Sequence, residues 1–341
     1  MNRRELLKSA VALPLIAAPA LGARSKSKMI KPNRLKSGDT VGVIAPSSAP
    51  AKEEFDKALA NLESYGFRIK IGKSACNRNG FLAGTDQERL ADLHWAFSDP
   101  EIKAVWCVRG GYGAGRILPD IDFKLIAKNP KILIGYSDIT ALHIAISQNT
   151  GLVTFHGPVG TSAPVDYTKT HVLNVLTNPV SPYRIELSEY NRAHSSNLYK
   201  TEVIKPGKVR GQLTGGNLSL VSALAGTPYG LRDIKGKLLF LEDVGEQPYR
   251  IDRMLTQLRQ SIDMKQLAGI ALGIFEDCNP RDTSTQSLID VLRDRLGDLG
   301  IPVIYGLSFG HIREQFTLPM GIEAELDTSA ATVTFLESAV K

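Results

Sequence analysis

Between residues 39 and 147 the chain switches repeatedly between two hydrophobic periods. Residues 39–45 (DTVGVIA) are apolar without alternation, as expected of a strand covered on both faces. Residues 51–65 carry apolar side chains at helical spacing and stop before Gly66. Residues 67–71 alternate as a strand, and 86–98 return to the helical period. Apolar runs at 103–108 and 131–135 read as two more strands, the second followed by a helical pattern over 139–147. Strands that alternate with helices predict a parallel, doubly wound α/β sheet with its functional edge at the strands' carboxyl ends. Pro46-Ser47-Ser48, Arg109-Gly110-Gly111 and Tyr136-Ser137 fall at such ends and are expected to be neighbours.

The pattern weakens over 177–208. Asn178-Pro179, Ser181-Pro182 and the polar run 189–197 read there as a linker. A second domain follows, with strands at 236–243 (GKLLFLED), 267–275 and 302–305 and helices at 249–261 and 286–296. Residues 315–318 and 322–335 read as antiparallel strands. The expected division is an N-terminal domain over 35–176, a linker over 177–208 and a C-terminal domain over 209–341.

The first 23 residues stand outside this pattern. Arg3-Arg4 with Leu6-Leu7-Lys8, an alanine-rich apolar stretch and small residues near Ala18-Pro19-Ala20 describe an export signal of the twin-arginine type. The apolar stretch is shorter than the roughly 20 residues of a membrane span. Cleaved export to the periplasm is the expectation, with the cytoplasm as the location if the signal is unused. The formal net charge is +6, the charges are interspersed and aromatic residues make up 7%. That argues against a nucleic-acid surface. Mild basicity suits an anionic polymer of the wall or membrane. Three cysteines, Cys76, Cys107 and Cys278, make no disulfide framework, although a Cys76–Cys278 pair stays open. Cys107 sits in an apolar strand pattern and reads as a core residue.

The chemistry concentrates at Ile134-Gly135-Tyr136-Ser137-Asp138. Ser137 falls on a tight strand-to-helix turn that exposes a hydroxyl and aims free helix N–H groups at whatever it attacks. The competing reading is an ordinary Ser-Asp helix cap. Ile139 stands where the G-x-S-x-G pattern has its second glycine. A serine nucleophile needs a base and an orienting carboxylate. Of six histidines, His94 lies on a surface-like helix, and His143 lies on the helix after Ser137, pointing away from the turn. His171 and His194 sit in polar stretches, and His156 follows a short strand where it could line a cleft. His311 follows Ser308-Phe309-Gly310 past a strand end, where a base would be placed. Glu242 closes an apolar strand and, buried there, requires a partner. Imidazole would serve, as would Arg250 or Arg253. The loop Arg109-Gly110-Gly111-Tyr112-Gly113-Ala114-Gly115 reads either as a phosphate cradle lacking the G-x-G-x-x-G spacing or as an oxyanion hole. In the second case the N–H of Gly110 or Gly111 would pair with that of Asp138. Arg109 suits a substrate carboxylate, or else a structural ion pair. No H-E-x-x-H, C-x-x-C or acid cluster points to a metal, and no cofactor is expected.

Val108-Arg109-Gly110-Gly111-Tyr112-Gly113, Gly135-Tyr136-Ser137-Asp138-Ile139-Thr140, Gly215-Gly216-Asn217-Leu218, Leu241-Glu242-Asp243 with Ile251-Asp252-Arg253-Met254, and Gly310-His311 occur in that order. Together they resemble the serine LD-carboxypeptidase (muramoyltetrapeptide carboxypeptidase) family, from about Leu35 to the C-terminus. The resemblance implies a flavodoxin-like N-terminal domain and a smaller, swivelling, β-rich α/β C-terminal domain. It implies a triad of Ser137, Glu242 and His311, and a homodimer. It also implies a murein tetrapeptide substrate that loses its terminal D-alanine from the L-centre of diaminopimelate. A second branch of that family resembles microcin-immunity hydrolases of acyl-adenylate analogues, cytoplasmic enzymes against which an export signal argues. Two further classes fit the pattern less closely: a non-catalytic periplasmic binding protein, and a nucleotide enzyme using the glycine loop.

Overall fold

The first half folds as the alternating periods predict. β1 (Thr40–Ile44), β2 (Arg68–Ile71), β3 (Ile102–Cys107), β4 (Ile132–Gly135) and β5 (Thr154–His156) run parallel in the order β2-β1-β3-β4-β5. That is the flavodoxin-like order. The computed structural model describes residues 29–282 and 284–341, so the expected export segment 1–23 lies outside the described residues. Helices α1 (Lys52–Ser64), α2 (Asp86–Ser98), α3 (Ala114–Ile117), α4 (Phe123–Lys128), α5 (Thr140–Thr150) and α6 (Asp166–Thr177) complete this body. Every residue of β1 and β4 is buried, which accounts for their unbroken apolar runs. α2 begins at Thr85, whose side chain accepts from the Glu88 N–H while Glu88 reaches back to the Thr85 N–H, a capping box that marks the helix start.

The second sheet has eight strands: β6 (Tyr183–Ile185), β7 (Glu202–Lys205), β8 (Lys208–Asn217), β9 (Leu238–Glu242), β10 (Gly269–Gly273), β11 (Val303–Leu307), β13 (Glu323–Asp327) and β14 (Thr332–Phe335). Their order is β6-β14-β13-β8-β9-β10-β11-β7. β8 to β11 are parallel, and the margins are antiparallel. Helices α7 (Glu189–Ala193), α8 (Leu218–Ala223), α9 (Pro248–Ser261) and α10 (Leu288–Leu296) accompany it. β12 (Leu318–Met320) crosses back and pairs antiparallel with β5, which makes it the sixth strand of the first sheet.

One expectation needs correction, and two strands add detail that the pattern does not show. The stretch 177–208 is not a plain linker, because it carries β6, α7 and β7, and both strands close edges of the second sheet. Such edge strands are three or four residues long and half exposed, so they present no amphipathic period. β8 is a ten-residue strand over a stretch that shows no strand pattern, because Gly211, Gly215 and Gly216 interrupt its side-chain alternation. The antiparallel strand read at 315–318 is observed as β12, Leu318–Met320, and its partner is β5 of the first sheet.

The end of β8 joins the two bodies. Gly215 has φ 136°, and a Cβ there would stand 1.9 Å from the Phe240 carbonyl oxygen. Next to it, a Cβ on Gly216 would stand 2.5 Å from Thr140 Cγ2, and the Asn217 N–H donates to Thr140 Oγ1 at 3.0 Å. The carboxyl end of β8 is thereby fixed to the first turn of α5. Register places Asn217 beside Glu242 at the end of β9. Gly215→Ala is expected to cost at least 3 kcal/mol, since it adds a backbone clash to a conformation that disfavours side chains by about 1–3 kcal/mol. Urea denaturation checks this, and a loss under 1 kcal/mol would show that β8 can shift there.

Candidate active site

Ser137 opens a single 3₁₀ turn, Ser137–Ile139, between β4 and α5. Its φ is 64°, in the left-handed region that a non-glycine residue occupies only under constraint. Neither this turn nor α5 has a side-chain cap, so the capping explanation of the Ser-Asp pair does not hold. The Asp138 carboxylate turns away from the helix. Its Oδ2 accepts from Ser47 Oγ at 2.6 Å, in the loop after β1, and from the Ala114 N–H at 2.7 Å, beyond β3. Burial raises the Asp138 pKa, while the Ser47 and Ala114 donors oppose the rise.

A second buried charge braces the same two loops. Arg89 of α2 is 1% exposed. Its Nη1 donates to the Pro46 carbonyl and, at 2.9 Å, to the Gly113 carbonyl, and its Nη2 pairs with Asp86. The three strand-end loops therefore meet, as their positions in the sequence predict. The glycine loop is not an open phosphate cradle: Asp138 holds the Ala114 N–H, and Ser48 Oγ accepts from the Tyr112 N–H at 2.9 Å.

Gly110 faces Ser137. A Cβ there would stand 2.7 Å from Ser137 Cβ, 3.0 Å from Ser137 Oγ and 3.2 Å from the Asp138 nitrogen. The space before the hydroxyl and the Asp138 N–H is open because residue 110 has no side chain. The Gly110 carbonyl accepts from the Ser48 N–H at 3.4 Å. In a trans peptide this turns the Gly111 N–H to the opposite side.

Glu242 and His311 come from the second body. Glu242 ends β9 with no exposure, and His311 Nδ1 lies 2.7 Å from Glu242 Oε2. The His311 ring lies edge-on to Tyr136, the residue before Ser137, with ring centroids 4.7 Å apart. With Nδ1 engaged by the carboxylate, Nε2 is the nitrogen left for a proton acceptor's work. Burial pushes the His311 pKa down, but the Glu242 charge and hydrogen bond outweigh it and leave the value raised. Glu242 is the mirror case: burial pushes it up, the His311 charge outweighs this, and the net shift is down. Arg250 pairs with Glu246 rather than with Glu242.

The sequence motifs contain Asn217 and Asp243 without a role for either, and Arg89 lies outside them. Asp243 accepts from Asn217 Nδ2 at 3.2 Å, from the Ser219 N–H at 2.9 Å and from Ser219 Oγ at 2.8 Å, tying β8, β9 and the start of α8 together. Asn217 caps α8 through the Leu220 N–H. Only the rarity of a buried arginine could have marked Arg89, which requires the structure. Arg109 is met by Glu54 of α1 at 2.8 Å, so its guanidinium serves an ion pair rather than standing free for a substrate carboxylate. His143 is buried and bonds the Gly135 carbonyl at 2.8 Å, away from the turn. The three cysteines are free thiols. Among the described residues, no three His, Cys, Asp or Glu side chains converge to hold a cation, and no helix is long and apolar enough to cross a membrane.

Residues 41–157 match the LD-carboxypeptidase N-terminal domain, and residues 210–326 match the LD-carboxypeptidase C-terminal domain. A probable murein peptide carboxypeptidase of Bacillus subtilis is 46% identical over 303 residues, covering 89% of this chain and 93% of that one. The microcin self-immunity protein MccF of Escherichia coli is 30% identical over 349 aligned residues, 95% of this chain and 96% of that one. Its structure with glutamyl sulfamoyl guanosine superposes at TM-score 0.83 with 28% identity, covering 91% of this chain and 99% of that one. A muramoyltetrapeptide carboxypeptidase from Oxalobacter formigenes superposes at TM-score 0.74 with 32% identity, covering 86% of this chain and 97% of that one. The chain belongs to the LD-carboxypeptidase family and is a serine-type peptidase with its two-domain α/β fold. Gly110→Ala is expected to lower turnover by about 10²–10³-fold, because its methyl would crowd Ser137 Oγ and the Asp138 N–H, with the circular dichroism of the fold retained. Turnover within threefold of wild type would place the reacting carbonyl elsewhere.

Proposed function

We propose that this chain is a serine LD-carboxypeptidase that removes the terminal D-alanine from murein tetrapeptides, at the bond to the L-centre of diaminopimelate. The observation that carries the reading is the 2.7 Å bond between His311 and a fully buried Glu242, beside a serine held at φ 64°. A binding protein has no need of that arrangement.

In this reading His311 Nε2 takes the Ser137 Oγ proton as Oγ attacks the carbonyl carbon. Glu242 fixes the tautomer and stabilises the imidazolium. The Asp138 N–H and the N–H of Gly110 or Gly111 hold the oxyanion. The C–N bond breaks, His311 returns its proton to the leaving amine, and water then releases the acyl group from Ser137. The Arg3-Arg4 start supports action in the periplasm, on wall peptides rather than on imported fragments. The likeness to MccF favours one second reading, hydrolysis of acyl-adenylate analogues by the same serine chemistry.

The test is incubation with disaccharide-tetrapeptide in the presence of a metal chelator, read by mass spectrometry, beside glutamyl sulfamoyl guanosine and beside Ser137→Ala. The expected result is loss of one alanine by the wild type alone. Cleavage of the sulfamoyl compound with no loss of alanine would move the assignment to the second reading.

A further inference from the structure

A second histidine stands behind the pair just described. His156 ends β5, is 1% exposed, and neither ring nitrogen has a protein hydrogen-bond partner. Its Nε2 lies 3.9 Å from Glu242 Oε1, the carboxylate oxygen that His311 does not use and that also lacks a protein partner. The ring is held edge-on by Phe240, Tyr136 and Phe309, at centroid distances of 5.4, 6.1 and 6.4 Å. A buried ring nitrogen and a buried carboxylate oxygen that stand 3.9 Å apart without partners of standard geometry represent a cost that natural cores rarely carry; the Asn217 side chain is the other polar group that lowers the Glu242 pKa. The gap is too short to admit a bridging water and is closed by a side-chain shift of roughly 1 Å. Hydrogen bonds of active sites are often long before substrate binds and tighten in the reacting complex.

We propose that His156 is a positioning residue whose Nε2–H donates to Glu242 Oε1, so that the carboxylate is held by an imidazole on each oxygen. This rests on the active-site reading above and extends it to a fourth residue, contributed by the N-terminal sheet. The role requires a neutral ring with its proton on Nε2. Burial lowers the His156 pKa to about 4, against the opposing pull of the Glu242 charge, so the ring is neutral at neutral pH. The groups facing Glu242 are His311, His156, Asn217 and Asp243. Those facing His156 are Glu242, His311 and His143.

The electrostatic consequence has a definite sign. A donor on Oε1 draws negative charge away from Oε2. Without it, Oε2 binds the protonated His311 more tightly, so the His311 pKa rises further above 6.5. Turnover needs His311 neutral, and the acid limb of kcat/KM then moves to higher pH.

The experiment compares His156→Phe, which fills the site without a donor, with His156→Gln, which returns an N–H at similar reach. Both are measured per fluorophosphonate-reactive enzyme on the disaccharide-tetrapeptide. His156→Phe is expected to lower kcat about 10- to 100-fold, the scale of a lost hydrogen bond to a charged group, with KM within twofold and the acid limb moved up. His156→Gln is expected to recover most of both. A structural role alone would leave the limb in place and impair both variants alike, which overturns the proposal. Nitrogen-15 spectra of the wild-type histidines give an independent reading that needs no variant to fold. His156 protonated on Nε2 and neutral from pH 6 to 9 is expected, and a proton on Nδ1 or a charged ring at pH 6 contradicts it. The nucleophile is read separately, since Ser137→Ala abolishes turnover where His156→Phe slows it.

Discussion

A serine held in the left-handed backbone region is the constraint around which this molecule is arranged. Such a conformation costs a non-glycine residue of order 1–3 kcal/mol and persists only where its surroundings over-determine it. Two buried charges do so here. The Asp138 carboxylate reaches Ser47 and Ala114, and the Arg89 guanidinium reaches the carbonyls of Pro46 and Gly113. An anion and a cation thus grip the same two loops, one through hydrogen-bond donors and the other through acceptors. Buried charges of this kind are costly unless paired or hydrogen-bonded, and Arg89 is engaged through Nη1 and Nη2, with Nε left without a partner. With those loops fixed, Ser137 keeps its hydroxyl in the open space left by Gly110.

The remaining chemistry is delivered by topology. Both sheets present their parallel strands' carboxyl ends at one cleft, where open α/β sheets bind ligands. Ser137 follows β4, Glu242 ends β9 and His311 lies in the loop after β11, so no single element carries the proposed triad. The two bodies are tied at that point by the Asn217 N–H bond to Thr140 and by the glycines that let β8 approach α5. β12 adds a second tie by crossing to the first sheet. The ion pair of Glu242 and His311 is therefore assembled across a fixed junction, and each partner shifts the other's pKa toward the charged form against its own burial.

Legibility in the sequence followed burial. β1 and β4 are buried at every position, and β3 at all but Lys103, so their apolar runs were readable. β6 and β7 were not, because short edge strands need no apolar face. The position of Ser137 was visible from a glycine-flanked strand end, and that of His311 from a loop beyond another. Glu242 was conspicuous as an acid closing an apolar strand. Arg109 read equally as a carboxylate ligand or as half of an ion pair, and the structure shows the pair, with Glu54. Asp138 was read for its N–H alone. Its side chain's reach to Ser47, 91 residues away in sequence, lies beyond any local pattern.

The central claim, that Ser137 is a nucleophile activated by His311, is tested most directly by covalent labelling. Wild-type protein and His311→Ala would be treated with a small fluorophosphonate, then digested and mapped by mass spectrometry. The account predicts a single adduct on Ser137 in the wild type, formed at least a hundredfold more slowly without His311. An adduct on another serine, or equal labelling rates in the two proteins, would contradict it.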